Sequence, residues 1–200
     1  MRAVALTDGR RQWTEECDLL ACGFGLAPNV ELPLALGCQL DNGFVRVDPW
    51  QAGSVAGVYA AGELTGIGGA EAALVEGEIA GLAAGGREEA ARALLARRAA
   101  WRRFGAALAN AFALREEVAR LAAAATLVCR CEDVSFDRMK SFAGWRDAKL
   151  QTRCGMGTCQ GRVCGAAAKV LFGWGMESVR PPVLPGRVES LCQEGGQRVS

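Results

Sequence analysis

The side chains with the clearest capacity for chemistry are five cysteines at positions 129, 131, 154, 159 and 164. Their spacing is C-x-C followed by two overlapping C-x4-C steps, and glycines lie between them. Four thiolates that converge on one small inorganic core, with glycines that let backbone N–H groups face its sulfurs, are typical of iron–sulfur sites. The pattern therefore favours an iron–sulfur cluster, whose chemistry is electron transfer.

Zinc and disulfides are the two alternatives for these cysteines. Structural zinc sites usually combine C-x2-4-C knuckles, and a C-x-C partner is less usual. The sequence has nine cysteines, an odd number, and its first residues lack the long apolar stretch of a signal peptide. We therefore expect a reducing compartment, where disulfides are rare.

Composition excludes several other functions. The chain has 200 residues, 50% hydrophobic and 22% charged, which suits one or two globular domains. A net charge of +1 creates no global field for nucleic acid, and no apolar run reaches the roughly 18 residues of a membrane span. We expect no nucleic-acid partner and no transmembrane segment. The sequence contains no histidine, which excludes histidine-dependent triads, Rieske centres and haem–histidine ligation.

Residues 1–85 have an α/β pattern. Strands are predicted at 3–7, 17–22, 44–47 and 55–61, and the last is apolar enough for a central strand. It leads through Gly62-Glu63 and a glycine loop into a helix over 71–82. Such a strand, loop and helix start expose N–H groups to an anion or cofactor, although an ordinary strand–turn–helix explains the pattern equally well.

Residues 86–124 are predicted to be helical, as one or two helices that bridge two modules. Four apolar residues follow helical spacing and form one stripe: Trp101, Phe104, Leu108 and Phe112. Five arginines lie largely off the stripe and predict a solvated or docking face: Arg92, Arg97, Arg98, Arg102 and Arg103.

Residues 125–192 form the predicted cysteine module, followed by a tail over 193–200. A short helix is expected over 137–142, and a second helix begins at Cys164 with its N-terminus towards the cysteine loop, where it favours thiolate. Three prolines then predict an extended segment: Pro181, Pro182 and Pro185.

The segments 17–29 and 57–63 resemble the C-terminal part of the flavoproteins that contain two dinucleotide-binding domains. The resemblance implies that Gly62 and Glu63 contact the ribityl chain of FAD, and that Gly69 and Ala70 begin the helix near the flavin pyrimidine ring. Glu63 departs from the commoner aspartate of that family and is one methylene longer.

The string Thr152-Arg-Cys-Gly-Met-Gly-Thr-Cys-Gln-Gly-Arg-Val-Cys164 is similar to the bacterioferritin-associated-ferredoxin-like (BFD-like) [2Fe–2S] domain. Its fusion behind a flavoprotein segment resembles the α (A) subunits of bacterial amino-acid and opine dehydrogenases, a group that includes opine oxidase, D-hydroxyproline dehydrogenase and the FAD subunit of hydrogen cyanide synthase. The resemblance implies a heteromeric, cytoplasmic or inner-membrane-peripheral dehydrogenase, in which this subunit relays electrons between FAD and a [2Fe–2S] cluster. A non-enzymatic [2Fe–2S] carrier or assembly module, or an inactive gene remnant, is the alternative.

The sequence departs from that group because it holds no G-x-G-x-x-G for the ADP half of FAD. We therefore expect the C-terminal part of a longer subunit, whether as a fragment, a split gene or a miscalled start, with an incomplete FAD site. The expected fold class is α+β: an incomplete Rossmann-like lobe, a helical bridge and a small helical BFD-like domain.

The predicted cluster ligands are Cys129, Cys131, Cys159 and Cys164. The C-x-C pair can offer two thiolates to one iron, and the last two cysteines flank a Gln-Gly turn before a helix. In related subunits, as the resemblance suggests, the position of Cys154 is not always cysteine. Cys154 is therefore predicted to be a small buried residue near the cluster. The alternative, that Cys154 is a ligand in place of Cys159 or Cys164, stays open. No residue is assigned to catalysis, and four glutamates are interpreted as cofactor contacts or helix-surface charges: Glu63, Glu71, Glu76 and Glu78.

Overall fold

The computed structural model describes residues 2–175 together with Val179 and Val183, so the predicted proline segment and tail lie outside the described residues, apart from Val183. The described chain is a mixture of short antiparallel sheets and helices. The strands are β1 (Ala3–Thr7), β2 (Gln12–Glu16), β3 (Leu40–Asp41), β4 (Phe44–Val45), β5 (Leu127–Cys129) and β6 (Val134–Ser135). The helices are α1 (Glu31–Ala35), α2 (Ala70–Ala84), α3 (Glu88–Arg92), α4 (Leu95–Ala111), α5 (Glu116–Arg120), α6 (Phe136–Met139), α7 (Trp145–Thr152) and α8 (Cys164–Phe172), with a 3-10 turn at Glu63–Thr65.

The first element is a β-hairpin, in which β1 and β2 pair antiparallel with Thr7 opposite Gln12. Asp8 closes its turn, because its Oδ1 accepts hydrogen bonds from the backbone N–H groups of Arg10 and Arg11, both at 2.9 Å. The turn also needs the positive φ of 87° that Gly9 adopts. The predicted strand over 3–7 and its turn are confirmed.

The predicted strand over 17–22 is wrong for this structure. Residues 17–30 contain no regular element, and Leu19 and Phe24 are 90% and 66% exposed. A strand needs a neighbour for its backbone N–H and C=O groups. Among the described residues the sheet of β1 and β2 has two strands only, so this apolar segment does not pair with it.

The predicted central strand over 55–61 is also wrong. The chain turns here, with the N–H of Val58 donating to the carbonyl of Val55 at 3.1 Å and Gly57 at a positive φ of 77°. Within this segment, strand pairing is limited to one isolated β-bridge, between Ala52 and Tyr59. The turn interrupts the extended backbone that a run of Val, Ala and Tyr otherwise favours.

Helix α2 confirms the helix predicted over 71–82 and forms the centre of the N-terminal lobe. Its Val75 and Ile79 are almost fully buried and pack with Ala91 and Trp101. A second core cluster, around Val45, lies on the hairpin of β3 and β4.

The bridge consists of three helices, α3 to α5, and α4 docks on the lobe through two arginines. Arg98 donates to the side chain of the fully buried Gln51 at 2.9 Å, and Arg102 binds Glu76. The docking face predicted from the arginines is confirmed at these two positions. The apolar stripe is only partly packed, since Phe112 is 78% exposed.

The cysteine module has its own core, built from β5, β6, α6, α7 and α8. The expected helices are found at α6 and α8, whereas α7 was not predicted. Aromatic rings close the core on one side, with Phe136 stacked on Phe172 at 5.3 Å and Phe172 on Trp174 at 4.5 Å. Arg162 links the module to the lobe through an ion pair with Glu31 at 3.4 Å.

Over the residues that the structure describes, no helix has the length and apolarity that a membrane crossing requires.

Candidate functional site

The five thiols of the cysteine module lie in two groups. The inner group is Cys129, Cys154 and Cys164, whose sulfurs all lie within 4.8 Å of one another and whose side chains are buried. The outer group is Cys131 and Cys159, whose sulfurs are 3.8 Å apart. Cys131 is exposed and Cys159 is partly buried. All eight cysteines of the described residues are free thiols.

Different elements hold the three inner sulfurs. Cys129 is the last residue of β5, and Cys164 is the first residue of α8. Cys154 follows α7, where Arg153 takes a left-handed conformation with φ 63° and turns the chain inward. The hydroxyl of Thr152 accepts the N–H of Cys154 at 3.1 Å. The inner group is thus fixed by the packing of three elements.

Two glycines allow the cysteine loop to approach its neighbours. A Cβ at Gly157 would lie 2.3 Å from the Cβ of Cys131, and one at Gly155 would lie 2.7 Å from the ring of Trp145. Gly155 also has a positive φ of 80°. The glycines that the sequence places among the cysteines therefore let the loop close on Cys131 and on α7.

The thiols have different acidities because they hydrogen-bond to one another. The thiol of Cys154 donates to the sulfur of Cys164, which lowers the pKa of Cys164 to about 6 against the cost of burial. The same bond, together with burial, raises the pKa of Cys154 strongly. The backbone N–H of Cys159 and the hydroxyl of Thr158 lower the pKa of Cys131. One inner and one outer sulfur thus favour thiolate, the form that binds metals.

The donor set fits an iron–sulfur cluster. Two of the four predicted ligands, Cys129 and Cys164, belong to the inner group, and the other two, Cys131 and Cys159, form the outer pair. It also places Cys154 inside the inner group, fully buried. The choice of four ligands among five sulfurs stays a prediction.

The second candidate site is the loop between Gly62 and Ala70, which gathers the residues that the flavoprotein resemblance singled out. Gly62 and Gly69 have positive φ angles of 81° and 84°, and Ala70 begins α2. Glu63 Oε1 accepts the N–H of Gly69 at 3.0 Å, so one side chain ties the two ends of the loop together. Glu63 Oε2 is buried without a hydrogen-bond partner among the described residues. A ligand hydroxyl at this oxygen would satisfy it.

Glu76 is a structural residue that the sequence interpretation missed. It is only 5% exposed, so its interpretation as a helix-surface charge is wrong. Its Oε2 accepts the N–H of Gly62 at 3.0 Å and the hydroxyl of Thr65 at 2.7 Å, while Oε1 accepts from Arg102 at 2.9 Å. Position 76 lies about one helical turn from the buried Ala72 and Ile79, on the same face of α2, and this spacing could have indicated that Glu76 is buried.

The N-terminal part of the chain matches one known protein family. Residues 1–92 match the family of pyridine nucleotide-disulphide oxidoreductases. This match supports the FAD-binding type of domain that the resemblance implied for the N-terminal lobe.

Several curated proteins are similar to this chain over most of its length. The chain is 36% identical to the A subunit of opine oxidase from Rhizobium meliloti over 84% of its own length and 43% of that protein. It is 32% identical to the corresponding opine oxidase protein of Agrobacterium tumefaciens, over 84% of this chain and 39% of that one. It is 36% identical to the HcnB subunit of hydrogen cyanide synthase from Pseudomonas aeruginosa, over 72% and 35%.

The chain therefore spans about two fifths of the length of the curated relatives that it matches. The opine oxidase matches leave 16% of the chain unmatched. Because this is fewer residues than the cysteine module contains, the similarity must extend into that module. No solved structure matches the chain.

Proposed function

We propose that this chain relays electrons between FAD and a [2Fe–2S] cluster, as part of a heteromeric dehydrogenase acting on amino acids or opines. The observation that carries the proposal is that the five thiols of the cysteine module form two compact groups, three buried sulfurs within 4.8 Å of one another and two sulfurs 3.8 Å apart. The similarity to opine oxidase and hydrogen cyanide synthase subunits supports the flavin half and the multi-subunit setting. The location that this implies is cytoplasmic or peripheral to the inner membrane.

The cluster would be held by Cys129, Cys131, Cys159 and Cys164. A [2Fe–2S] cluster supplies one-electron chemistry when bound. The inner sulfurs lie in an apolar core that excludes water, whereas Cys131 faces solvent. An electron-transfer partner would therefore approach from the side of Cys131.

The flavin would be held by Gly62, Glu63, Gly69 and Ala70. The unpartnered oxygen of Glu63 would accept a hydrogen bond from a ribityl hydroxyl, and the start of α2 would present N–H groups to the flavin ring. The backbone N–H of Gly62 is held by Glu76, which is itself paired with Arg102.

A non-enzymatic [2Fe–2S] carrier or assembly module is the second candidate. It is favoured by one observation: among the described residues, the core around the inner thiols consists of residues 128–174 alone. In that case the N-terminal lobe would serve as a docking platform.

The cluster is tested by purification of the full chain without oxygen. We expect a red-brown protein with about two irons and two sulfides per chain. Changing Cys129, Cys131, Cys159 or Cys164 to serine should remove the visible absorbance, while Cys154→Ser should retain it. Cys22→Ser, an exposed cysteine of the lobe, is the matched control. Stoichiometric zinc without visible absorbance would refute the cluster. Loss of absorbance in Cys154→Ser would mean that Cys154 is a cluster ligand in place of Cys159 or Cys164.

The relay is tested on the complex isolated from the native host through a tag on this chain. Amino acids and opines added without oxygen should bleach the cluster absorbance if the complex is a dehydrogenase. A cluster that stays oxidised with all of these substrates while dithionite bleaches it would favour the carrier.

A further inference from the structure

The inner thiol group contains one sulfur more than the proposed cluster uses on that side. We propose that, in the chain without its cluster, Cys129, Cys154 and Cys164 form a three-coordinate site for one soft monovalent cation, with copper(I) as the probe. This inference goes beyond the proposed function, because copper binding at this site does not require that a cluster is ever assembled.

The spacing of the three sulfurs fits such a site. For metal–sulfur bonds of about 2.3 Å, the sulfurs of a flat three-coordinate centre lie about 4 Å apart. All three sulfur–sulfur separations here are within 4.8 Å. Small side-chain movements are therefore enough to close the site.

The chemistry of the donors selects a soft ion. The sequence has no histidine, and the residues that the structure groups as a potential metal site are cysteines alone. Thiolates favour copper(I), zinc and iron–sulfur clusters.

Burial then favours copper(I) over zinc. The three side chains are at most 1% exposed, which leaves no place for a water ligand. Protein-bound zinc takes four ligands, and the outer thiol of Cys131 is directed to Cys159 at 3.8 Å. A d10 monovalent ion is satisfied by three sulfurs.

The site is also preorganised. Its ligands come from the end of β5, the turn after α7 and the start of α8, which pack together in one core. Binding therefore needs little ordering of the chain, which raises affinity. Copper enters as copper(I), so no electron is transferred, and the thiols release their protons to solvent as the metal–sulfur bonds form.

Copper and the cluster should exclude each other, because Cys129 and Cys164 belong to both sites. Cys154 belongs only to the copper site, whereas Cys159 belongs only to the proposed cluster. These two residues allow each site to be removed without the other.

The experiment uses the full chain, freed of iron and kept without oxygen, in competition with a chromophoric copper(I) chelator. We expect one copper per chain, and a loss of affinity of at least about 100-fold in Cys154→Ala, since loss of an outer-shell partner already costs about 10–100-fold. Cys159→Ser should bind copper like the unmodified chain. X-ray absorption of the copper-loaded unmodified chain should show three sulfur neighbours.

The opposite pattern, with copper lost in Cys159→Ser and kept in Cys154→Ala, would overturn the inference. So would two or four sulfur neighbours, or stoichiometric zinc held more tightly than copper. If Cys154→Ala loses its far-ultraviolet circular dichroism, the sulfur count on the unmodified chain decides. A chain that never binds iron but shows this copper site would refute the proposed function and leave the inference intact.

Discussion

The cysteine module and the N-terminal lobe place their candidate sites in different ways. In the module, all five thiols come from one segment, and three of them lie in a core that the same segment builds. In the lobe, the loop from Gly62 to Ala70 depends on a distant helix, because α4 supplies Arg102 to the glutamate that holds Gly62. Apolar side chains of the segment 17–30 meanwhile stay exposed. The inner thiols are therefore positioned by their own module, whereas the position of the loop from Gly62 to Ala70 depends on α4.

The largest expected effect concerns FAD and the full chain. The sequence has no G-x-G-x-x-G, so the pyrophosphate and adenosine contacts are missing. We expect a loss of about 3–5 kcal/mol in binding, or about two to four powers of ten in affinity. Flavin fluorescence should show FAD and riboflavin binding equally weakly. Tight, stoichiometric FAD binding would show that the chain completes its own site.

The next effect tests the dependence of the loop on α4. Arg102→Met leaves Glu76, whose side chain is 7% exposed, without its charged partner. Breaking a buried pair costs about 3–5 kcal/mol, and we expect about 2–3 because the Arg102 side chain is 40% exposed. Arg103→Met, at the exposed neighbouring position, should change the free energy of unfolding by less than about 0.5 kcal/mol in urea denaturation.

The double variant Arg102→Met with Glu76→Gln should recover part of that loss, since it removes the unpaired buried charge. Equal destabilisation by Arg102→Met and Arg103→Met would contradict the dependence of the lobe on this pair.

A third change tests the closeness of the cysteine loop to Cys131. Gly157→Ala places a Cβ 2.3 Å from the Cβ of Cys131 and should destabilise the module by about 1–3 kcal/mol, with a lower iron content per chain. Gly144→Ala is the matched control, because its backbone is extended and its Cβ would meet no atom within 4 Å. Normal iron content and stability in Gly157→Ala would mean that the loop lies farther from Cys131.

The smallest expected effects compare glycines inside two helices. Gly105→Ala in α4 places a Cβ 2.7 Å from the carbonyl oxygen of Ile67 and should cost about 1–2 kcal/mol. Gly81→Ala in α2 meets open space and should stabilise by about 0.5–1 kcal/mol through helix propensity. Thermal unfolding of both variants checks the sign, and stabilisation by Gly105→Ala would show that α4 does not pack on the glycine loop.

The elements that depend on local sequence were predicted correctly. Helices α2 and α8 follow from their apolar and alanine-rich runs, and the turn at Asp8 and Gly9 follows from its residue types, since each depends on neighbours in sequence. The strands expected at 17–22 and 55–61 failed for the opposite reason, because a strand exists only when a partner satisfies its backbone. The family match over residues 1–92 supports the flavoprotein type of the lobe, while the cluster and its ligand set stay predictions.

The sequence by itself determined the kinds of chemistry available: nine cysteines, no histidine, and glycines placed for close approach. Only the tertiary structure decided which of these groups meet. Cys131 and Cys159 are 28 residues apart, and Arg102 and Glu76 are 26 apart, yet each pair is in contact. Such contacts depend on how helices and loops pack together. The same packing buries Glu76, which was interpreted as a helix-surface charge among its alternatives, as a hydrogen-bond acceptor, and it places Cys154 as the third sulfur of the inner group.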